Sequence, residues 1–236
     1  MKRNSIITLG IAAIAAIAVA ALPFVIEAEK LPVTADEQKA MSPDEVLDLL
    51  MAGNERYVSG KLSDPNVRAR IKAASSGQFP KAVILSCLDS RVPVEKVFDV
   101  GIGDIFVGRV AGNIENEDQL GSMEFATKAA GSKLVMVLGH EACGAVKGAC
   151  DGVEMGNLTA LLSKIRPAID AVKGHEGARN SKNAEFVADV VEMNVRQTVA
   201  DIRERSEVLA EMEGNGEIRI VGALYSLQDG SVRLID

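Results

Sequence analysis

The stretch AVILSCLDSR, residues 82–91, leads from an apolar run directly into a group of reactive side chains. Residues 82–85 are apolar without alternation, which is typical of a strand that is covered on both faces of a parallel sheet. Two similar runs follow, at residues 105–107 and 134–138. Apolar strands separated by helical segments predict an α/β fold, with a mostly parallel central β-sheet flanked by helices.

The segments around these strands carry the periodicity and capping signals of helices. Ser42 can cap a helix, Pro43 suits its first position, and Glu45 completes a capping box. Later in the chain, Asp229-Gly230 is a hairpin signal between two short strands. The predicted elements are a helix from Ser42, helices at about residues 119–130, 143–150, 158–172 and 184–205, and strands at 218–226 and 232–235.

Reactive side chains follow two of the predicted strands. Cys87 comes after the first strand and His140 after the third. Because ligands bind beyond the carboxyl ends of parallel strands, we expect both side chains at the same edge of the sheet. Cys143 stands three residues after His140, and on one helical turn the two would share a face. If Cys143 begins a helix, the helix dipole favours its thiolate.

Two thiolates and one imidazole form a donor set that zinc uses when a fourth position stays open for chemistry. Asp89 and Arg91 lie beside the first thiolate, and a purely structural zinc site has no need of them. Asp89 can accept a hydrogen bond, and Arg91 can orient it and keep it ionised through a charge-assisted pair. The alternative for these two residues is an ordinary surface ion pair.

The motifs Cys87-Leu88-Asp89-Ser90-Arg91 and His140-Glu141-Ala142-Cys143-Gly144 together resemble those of the β-class carbonic anhydrases. Three further segments are similar to the same family, at residues 77–80, 98–101 and 109–113. The matched segments extend from about residue 42 to residue 226. The resemblance therefore implies that family's fold for nearly all of the chain after its N-terminal segment.

The resemblance implies a zinc enzyme that interconverts carbon dioxide with bicarbonate and a proton through hydroxide on the metal. The zinc ligands that it implies are Cys87, His140 and Cys143. The catalytic pair that would orient the hydroxide is Asp89 and Arg91. The implied substrate-binding residues are Gln78, Phe106 and Gly144. Gln78 would come from a neighbouring subunit, so a homodimer or a larger homo-oligomer is expected.

Arg109 also falls in a matched segment. In one subgroup of the family, the corresponding arginine binds a regulatory bicarbonate with the help of a tryptophan. This chain has no Trp. We therefore expect Arg109 to be a structural or solvated cation.

The first 28 residues have the pattern of a secretory signal peptide: a short basic start, an apolar run from Ile6 to Ile26, and small residues up to Ala28. The alternative is an uncleaved membrane anchor, since the run is about long enough to span a bilayer. Export predicts the bacterial periplasm or the extracellular space, with membrane attachment if the segment is retained. Residues 29–41 are interpreted as a linker and residues 42–236 as the β-carbonic anhydrase domain.

The composition is that of a globular protein, with 47% hydrophobic and 25% charged residues. A formal net charge of −7 and the lack of Trp argue against a nucleic-acid partner. No membrane partner is expected once the signal is removed. The three cysteines cannot all pair in an oxidising compartment. If Cys87 and Cys143 bind a metal, Cys150 is left as a small buried apolar residue.

Two other functions stay open. The same site could hydrolyse carbon disulfide or carbonyl sulfide, which are linear like carbon dioxide. Family members with that activity differ mainly in access to the pocket. The other alternative is a non-catalytic zinc-binding protein of the same fold, which the pair of Asp89 and Arg91 disfavours.

Overall fold

The computed structural model of the chain describes residues 31–63 and 66–235. The predicted signal peptide, residues 1–28, lies outside these residues. Within the described ranges, no helix is both long and apolar enough to cross a membrane.

The structure contains the following elements. The strands are β1 Ala82–Ser86, β2 Ile105–Arg109, β3 Leu134–His140, β4 Arg219–Tyr225 and β5 Val232–Ile235. The helices are α1 Ala35–Ala40, α2 Pro43–Val58, α3 Val67–Ala74, α4 Val94–Val97, α5 Glu117–Glu124, α6 Gly144–Cys150, α7 Gly156–Ser163, α8 Arg166–Ala171, α9 Ala184–Arg205 and α10 Glu207–Gly214. A 3-10 turn at Ala111–Asn113 follows β2, and a π-helical turn at Phe125–Ala129 follows α5.

The central sheet is mostly parallel, as predicted. The strand order is β2-β1-β3-β4-β5. The first four strands run parallel, and β5 joins β4 antiparallel. β1 and β3 lie in the middle and are buried along their whole length.

Helices cover both faces of the sheet. Ile84 points to one face, where it belongs to the same buried cluster as Leu50 of α2 and Val97 of α4. Leu85 points to the other face, where the buried cluster includes Val190 of α9 and residues of α6 to α8. Burial on both faces explains why these strands are continuously apolar and do not alternate.

The segment interpreted as a linker contains a helix, α1. The Thr34 side chain accepts the N–H of Glu37, and the Glu37 carboxylate accepts the N–H of Thr34. The Gln38 amide is buried and donates to the carbonyls of Pro80 and Ala130. This helix is docked by one polar side chain and has no apolar stripe, so hydrophobic periodicity does not reveal it.

The helix predicted at residues 158–172 is two helices. α7 ends at Ser163, and α8 begins at Arg166. Pro167 lies in the first turn of α8, where its missing N–H is tolerated but would interrupt a continuous helix. The predicted bounds of α9 and β5, in contrast, are confirmed at residues 184–205 and 232–235.

Candidate active site

The carboxyl ends of β1 and β3 lie side by side because these two strands are hydrogen-bonded to each other. Ser86, at the end of β1, is the register partner of Leu138 in β3. Cys87 is the next residue after β1, and its Sγ accepts the N–H of Gly112 at 3.3 Å. His140 is the last residue of β3 and is fully buried. Cys87 and His140 therefore meet at one edge of the sheet, as predicted from their positions after two parallel strands.

The prediction that His140 and Cys143 share one helical turn is wrong. The chain turns between them through Glu141 and Ala142, and Ala142 has a left-handed φ of 51°. Cys143 is the N-cap of α6, with a φ of −58° and a ψ of 123° that are not helical. A tight turn, rather than a helical face, brings the two side chains together.

The side chains of Cys87, His140 and Cys143 converge on one point. Their donor atoms all lie within 4.8 Å of one another, and all three residues are buried. The two Sγ atoms are 3.9 Å apart. Two sulfurs bound to one tetrahedral zinc ion at about 2.3 Å are separated by about 3.8 Å. A disulfide, with an S–S bond of about 2.05 Å, does not fit the observed separation.

The imidazole of His140 is oriented for metal binding. Its Nδ1 lies 2.8 Å from the carbonyl oxygen of Glu141, which can only accept, so Nδ1 carries the proton. Nε2 is then the nitrogen with the free lone pair. It is buried and has no hydrogen-bond partner among the described residues. A buried acceptor of this kind beside two sulfurs fits a metal ion, and the donor set is one that zinc uses.

The two thiols perturb each other's ionisation. The hydrogen bond with Cys143 is the main cause that lowers the pKa of Cys87 to about 4. The same interaction, together with burial, raises the pKa of Cys143. The backbone N–H groups of Ala145 and Val146, at the start of α6, act in the opposite direction and lower the pKa of Cys143, as expected for a thiol at a helix start. A divalent cation would favour both thiolates, because metal binding displaces protons from its ligands.

Asp89 lies next to this donor cluster, with its Oδ2 3.7 Å from Nε2 of His140. Arg91 donates to both carboxylate oxygens, at 2.9 and 2.7 Å, and its backbone N–H adds a third bond at 2.9 Å. These hydrogen bonds hold the pKa of Asp89 well below its usual range, so the carboxylate is ionised. The side chain of Asp89 is 14% exposed and that of Arg91 is 54% exposed. The pair therefore extends from the buried cluster to solvent.

Arg109 is a structural cation. Its Nε donates to the carbonyl oxygen of Cys87 at 3.0 Å. Its Nη2 donates to the carbonyls of Asp89, at 2.6 Å, and Val92, at 3.0 Å. The guanidinium thus binds the backbone of the loop that carries Asp89 and Arg91.

The predicted substrate residues Gly144 and Gln78 lie at opposite edges of the sheet. Gly144 directly follows Cys143, is exposed, and has open space where a side chain would stand. Gln78 precedes β1 and is also exposed, but it lies at the amino edge, away from Cys87. One chain therefore brings Gly144 to the cluster and leaves Gln78 far from it.

Phe106, the third predicted substrate residue, lies on the edge strand β2. Its register partner is Val83, so it stands roughly 13 Å along the strand direction from the level of Cys87, at about 3.3 Å per residue. Its ring centroid is 6.2 Å from that of Phe125, in the π-helical turn. Both rings line a cleft of about 790 Å³ between β2 and α5, which Arg109 also lines.

Two residues that support the cluster were not singled out from the sequence. Gly112 has a left-handed φ of 77°, and a Cβ there would come within 2.8 Å of Ile165. Asn194 of α9 is buried, and its Nδ2 donates to the Gly112 carbonyl at 2.8 Å. The glycine lies in one of the segments that resemble the family, at residues 109–113. Asn194 carries no local signal, because it acts on a segment 82 residues away.

The fold and this site define an α/β protein with a candidate catalytic metal centre. The family model for carbonic anhydrase matches residues 82–232. Carbonic anhydrase 2 of Mycobacterium tuberculosis is 36% identical to this chain over 188 residues, which cover 79% of this chain and 90% of that protein.

Solved structures share the fold. The β-carbonic anhydrase CcaA superimposes with a TM-score of 0.64 at 24% identity, over 80% of this chain and 87% of that one. A tetrameric β-carbonic anhydrase of Sordaria macrospora superimposes with a TM-score of 0.61 at 21% identity, over 80% of this chain and 96% of that one. The chain belongs to the β-carbonic anhydrase family.

We expect Cys143→Ser to lose its metal, because a serine hydroxyl is not ionised near neutral pH and zinc prefers thiolate. The measurement is zinc per chain by elemental analysis after dialysis. Cys150→Ser is the matched control, since Cys150 is a free, half-buried thiol outside the cluster, and it should keep the parental zinc content. One tightly held zinc per chain in Cys143→Ser would show that the ligand set is wrong.

Proposed function

We propose that this protein is an exported zinc enzyme that reversibly hydrates carbon dioxide to bicarbonate and a proton. Its family membership supports the reaction. The observation that carries the proposal is the ionised Asp89, held by Arg91, beside the cluster of two thiols and an imidazole. A structural metal site would need neither of those two residues.

The residues that would hold the zinc are Cys87, His140 and Cys143. When bound, zinc supplies a Lewis acid that lowers the pKa of water and so provides a nucleophile near neutral pH. Two thiolates and a neutral imidazole offset the 2+ charge fully, so this donor set acidifies water less than three imidazoles would. The chain therefore needs a further group that stabilises the deprotonated nucleophile.

We assign this role to Asp89. Its ionised carboxylate can accept a hydrogen bond from the attacking O–H, which leaves a lone pair of that oxygen free to point at carbon dioxide. Arg91 holds the carboxylate through three hydrogen bonds, which restricts its rotation. The new bond forms between the water oxygen and the carbon, one pair of C=O electrons moves onto oxygen, and the released proton passes to solvent.

The cleft between β2 and α5 is lined by apolar residues together with charged and polar ones, among them Glu117, Asp118 and Gln119. Its apolar wall suits a substrate without charge. Carbon dioxide has no charge and no net dipole, so an apolar wall does not oppose its binding. The apolar residues that line the cleft include Val83, Leu85, Phe106 and Phe125. Arg109 lines the same cleft and also binds the loop of Asp89, so the two regions are adjacent.

We expect Asp89→Asn to keep its zinc. Its kcat/KM for carbon dioxide hydration should fall by about 10²-fold or more, which is the usual effect of removing a positioned acid–base group. Stopped-flow hydration with a pH indicator gives kcat/KM, and elemental analysis gives the zinc content. Asp36→Asn, which changes an exposed carboxylate of α1, is the control and should match the parent. Unchanged hydration in Asp89→Asn would defeat the assigned role.

The zinc-loaded parent protein also tests the two alternative functions. Turnover of carbonyl sulfide or carbon disulfide that exceeds carbon dioxide hydration would replace the proposed substrate. A zinc-loaded parent that turns over none of the three gases would be the non-catalytic zinc-binding protein.

We further propose a homodimer or a larger homo-oligomer in which Gln78 of one chain serves the site of another. The tetramers of Sordaria macrospora support an assembly. In one chain Gln78 stands at the edge of the sheet opposite the cluster. The role of Gln78 itself comes from the family resemblance.

Co-expression of Gln78→Ala and Cys143→Ser chains with different tags tests this arrangement. Each variant alone should be nearly inactive. The purified mixed dimer should regain about half of the parental activity, because one of its two symmetry-related sites combines an intact cluster with an intact glutamine. Mixed oligomers as inactive as either variant alone would contradict a shared site.

Export is proposed from the basic start and apolar run of residues 1–28. Mass spectrometry of protein recovered from the periplasmic fraction of a Gram-negative host should give a chain that begins near residue 29. An intact N-terminus in the membrane fraction would support the anchor alternative, and an intact chain in the cytosol would contradict export.

A further inference from the structure

The side chain of Arg109 links the end of β1 to the following loop, which carries Asp89 and Arg91. It does so only through backbone carbonyls. Arg109 is the last residue of β2 and the register partner of Ser86 in β1. From there its half-buried guanidinium donates to the carbonyls of Cys87, Asp89 and Val92, at 3.0, 2.6 and 3.0 Å. Three of the five N–H groups of the guanidinium are thus engaged by backbone oxygens.

The loop after Cys87 has a few bonds of its own. The N–H of Val92 donates to the carbonyl of Asp89 at 3.2 Å, and the N–H of Arg91 donates to the carboxylate of Asp89 at 2.9 Å. Val92 is fully buried and anchors the far end of the loop. These bonds organise the turn from residue 89 to residue 92, whereas Arg109 joins that turn to Cys87.

We infer that Arg109 is a positioning residue that sets Asp89 at a defined distance from the metal ligand Cys87. The inference rests on the proposed hydration activity. It adds Arg109 as a residue that holds the backbone of Asp89, whose carboxylate orients the nucleophile. A charge-assisted bond to a carbonyl is stronger than a neutral one. Three such bonds from one rigid, planar group restrain the loop more than three separate donors would.

The backbone and the side chain of Asp89 have different hydrogen-bond partners. The carbonyl of Asp89 accepts two hydrogen bonds, from Arg109 and from Val92. The carboxylate of the same residue is bound by Arg91. The backbone and the side chain of Asp89 are therefore held by different arginines. Loss of Arg109 leaves the Asp89 carbonyl with the N–H of Val92 alone, while the carboxylate keeps Arg91.

Arg109→Ala tests the inference, with Arg179→Ala as the matched control. Arg179 also donates to two backbone carbonyls, those of Val172 and Ile169, and its guanidinium carbon lies 4.7 Å from the ring centroid of Phe186, away from the cluster. We expect Arg109→Ala to lower kcat per bound zinc about tenfold or more, since a misplacement of about 1 Å can cost 10²-fold, while KM changes little. Arg179→Ala should stay within twofold of the parent.

Chemical rescue separates positioning from general loss of stability. Added guanidinium ion should restore part of the activity of Arg109→Ala and none of that of Asp89→Asn. Arg109→Lys keeps the charge but offers a single nitrogen that cannot span three carbonyls, so its kcat should fall between parent and Arg109→Ala. It also provides the test if the alanine variant does not fold. An activity per zinc within twofold of the parent in Arg109→Ala, or in Arg109→Lys if only that variant folds, would overturn the inference.

A readout independent of hydration keeps this test apart from the proposed function. Amide hydrogen exchange reports the order of residues 87–92. Arg109→Ala should accelerate exchange in this loop, and Arg179→Ala should not. A parent without hydration activity would end the proposed function, whereas unchanged exchange in Arg109→Ala would end the inference about Arg109.

Discussion

The parallel hydrogen bonding of β1 to β3 is the constraint on which the site depends. It brings the carboxyl ends of two central strands together, so that thiols 56 residues apart in the chain stand 3.9 Å from each other. Helices cover both faces of these strands, which makes a slip of register costly.

The groups that surround the cluster act mostly through the backbone. Gly112 offers an N–H to the sulfur of Cys87, and Asn194 holds the carbonyl of that glycine. Arg109 holds the carbonyls on the other side of the same cysteine. A buried sulfur that becomes negative needs nearby donors, and backbone N–H groups provide them without a side chain that would compete for the metal.

The polarity of a parallel sheet explains why one chain does not bring all the expected substrate residues together. The cluster of Cys87, His140 and Cys143 lies at the carboxyl edge, and Gln78 lies at the amino edge. The edge strand β2 is half-buried along its length and carries Phe106 towards a cleft lined by Phe125. A second chain set against this side of the sheet is the simplest way to complete such a site, which agrees with the proposed assembly.

The sequence alone determined the buried strands and the pairing of Asp89 with Arg91, because each depends on residues that are close together in the chain. It also predicted the donor set of Cys87, His140 and Cys143, because both segments follow strands whose carboxyl ends meet in a parallel sheet. It also determined the ends of α9 and β5. Only the tertiary structure decided that a turn at Ala142, rather than a helical face, joins His140 to Cys143. It also decided that Arg109 binds the loop of Asp89 and Arg91 and that Gln38 docks α1. These contacts are hydrogen bonds between distant segments, and a local pattern of apolar and polar residues does not record which backbone group will lie opposite a given side chain.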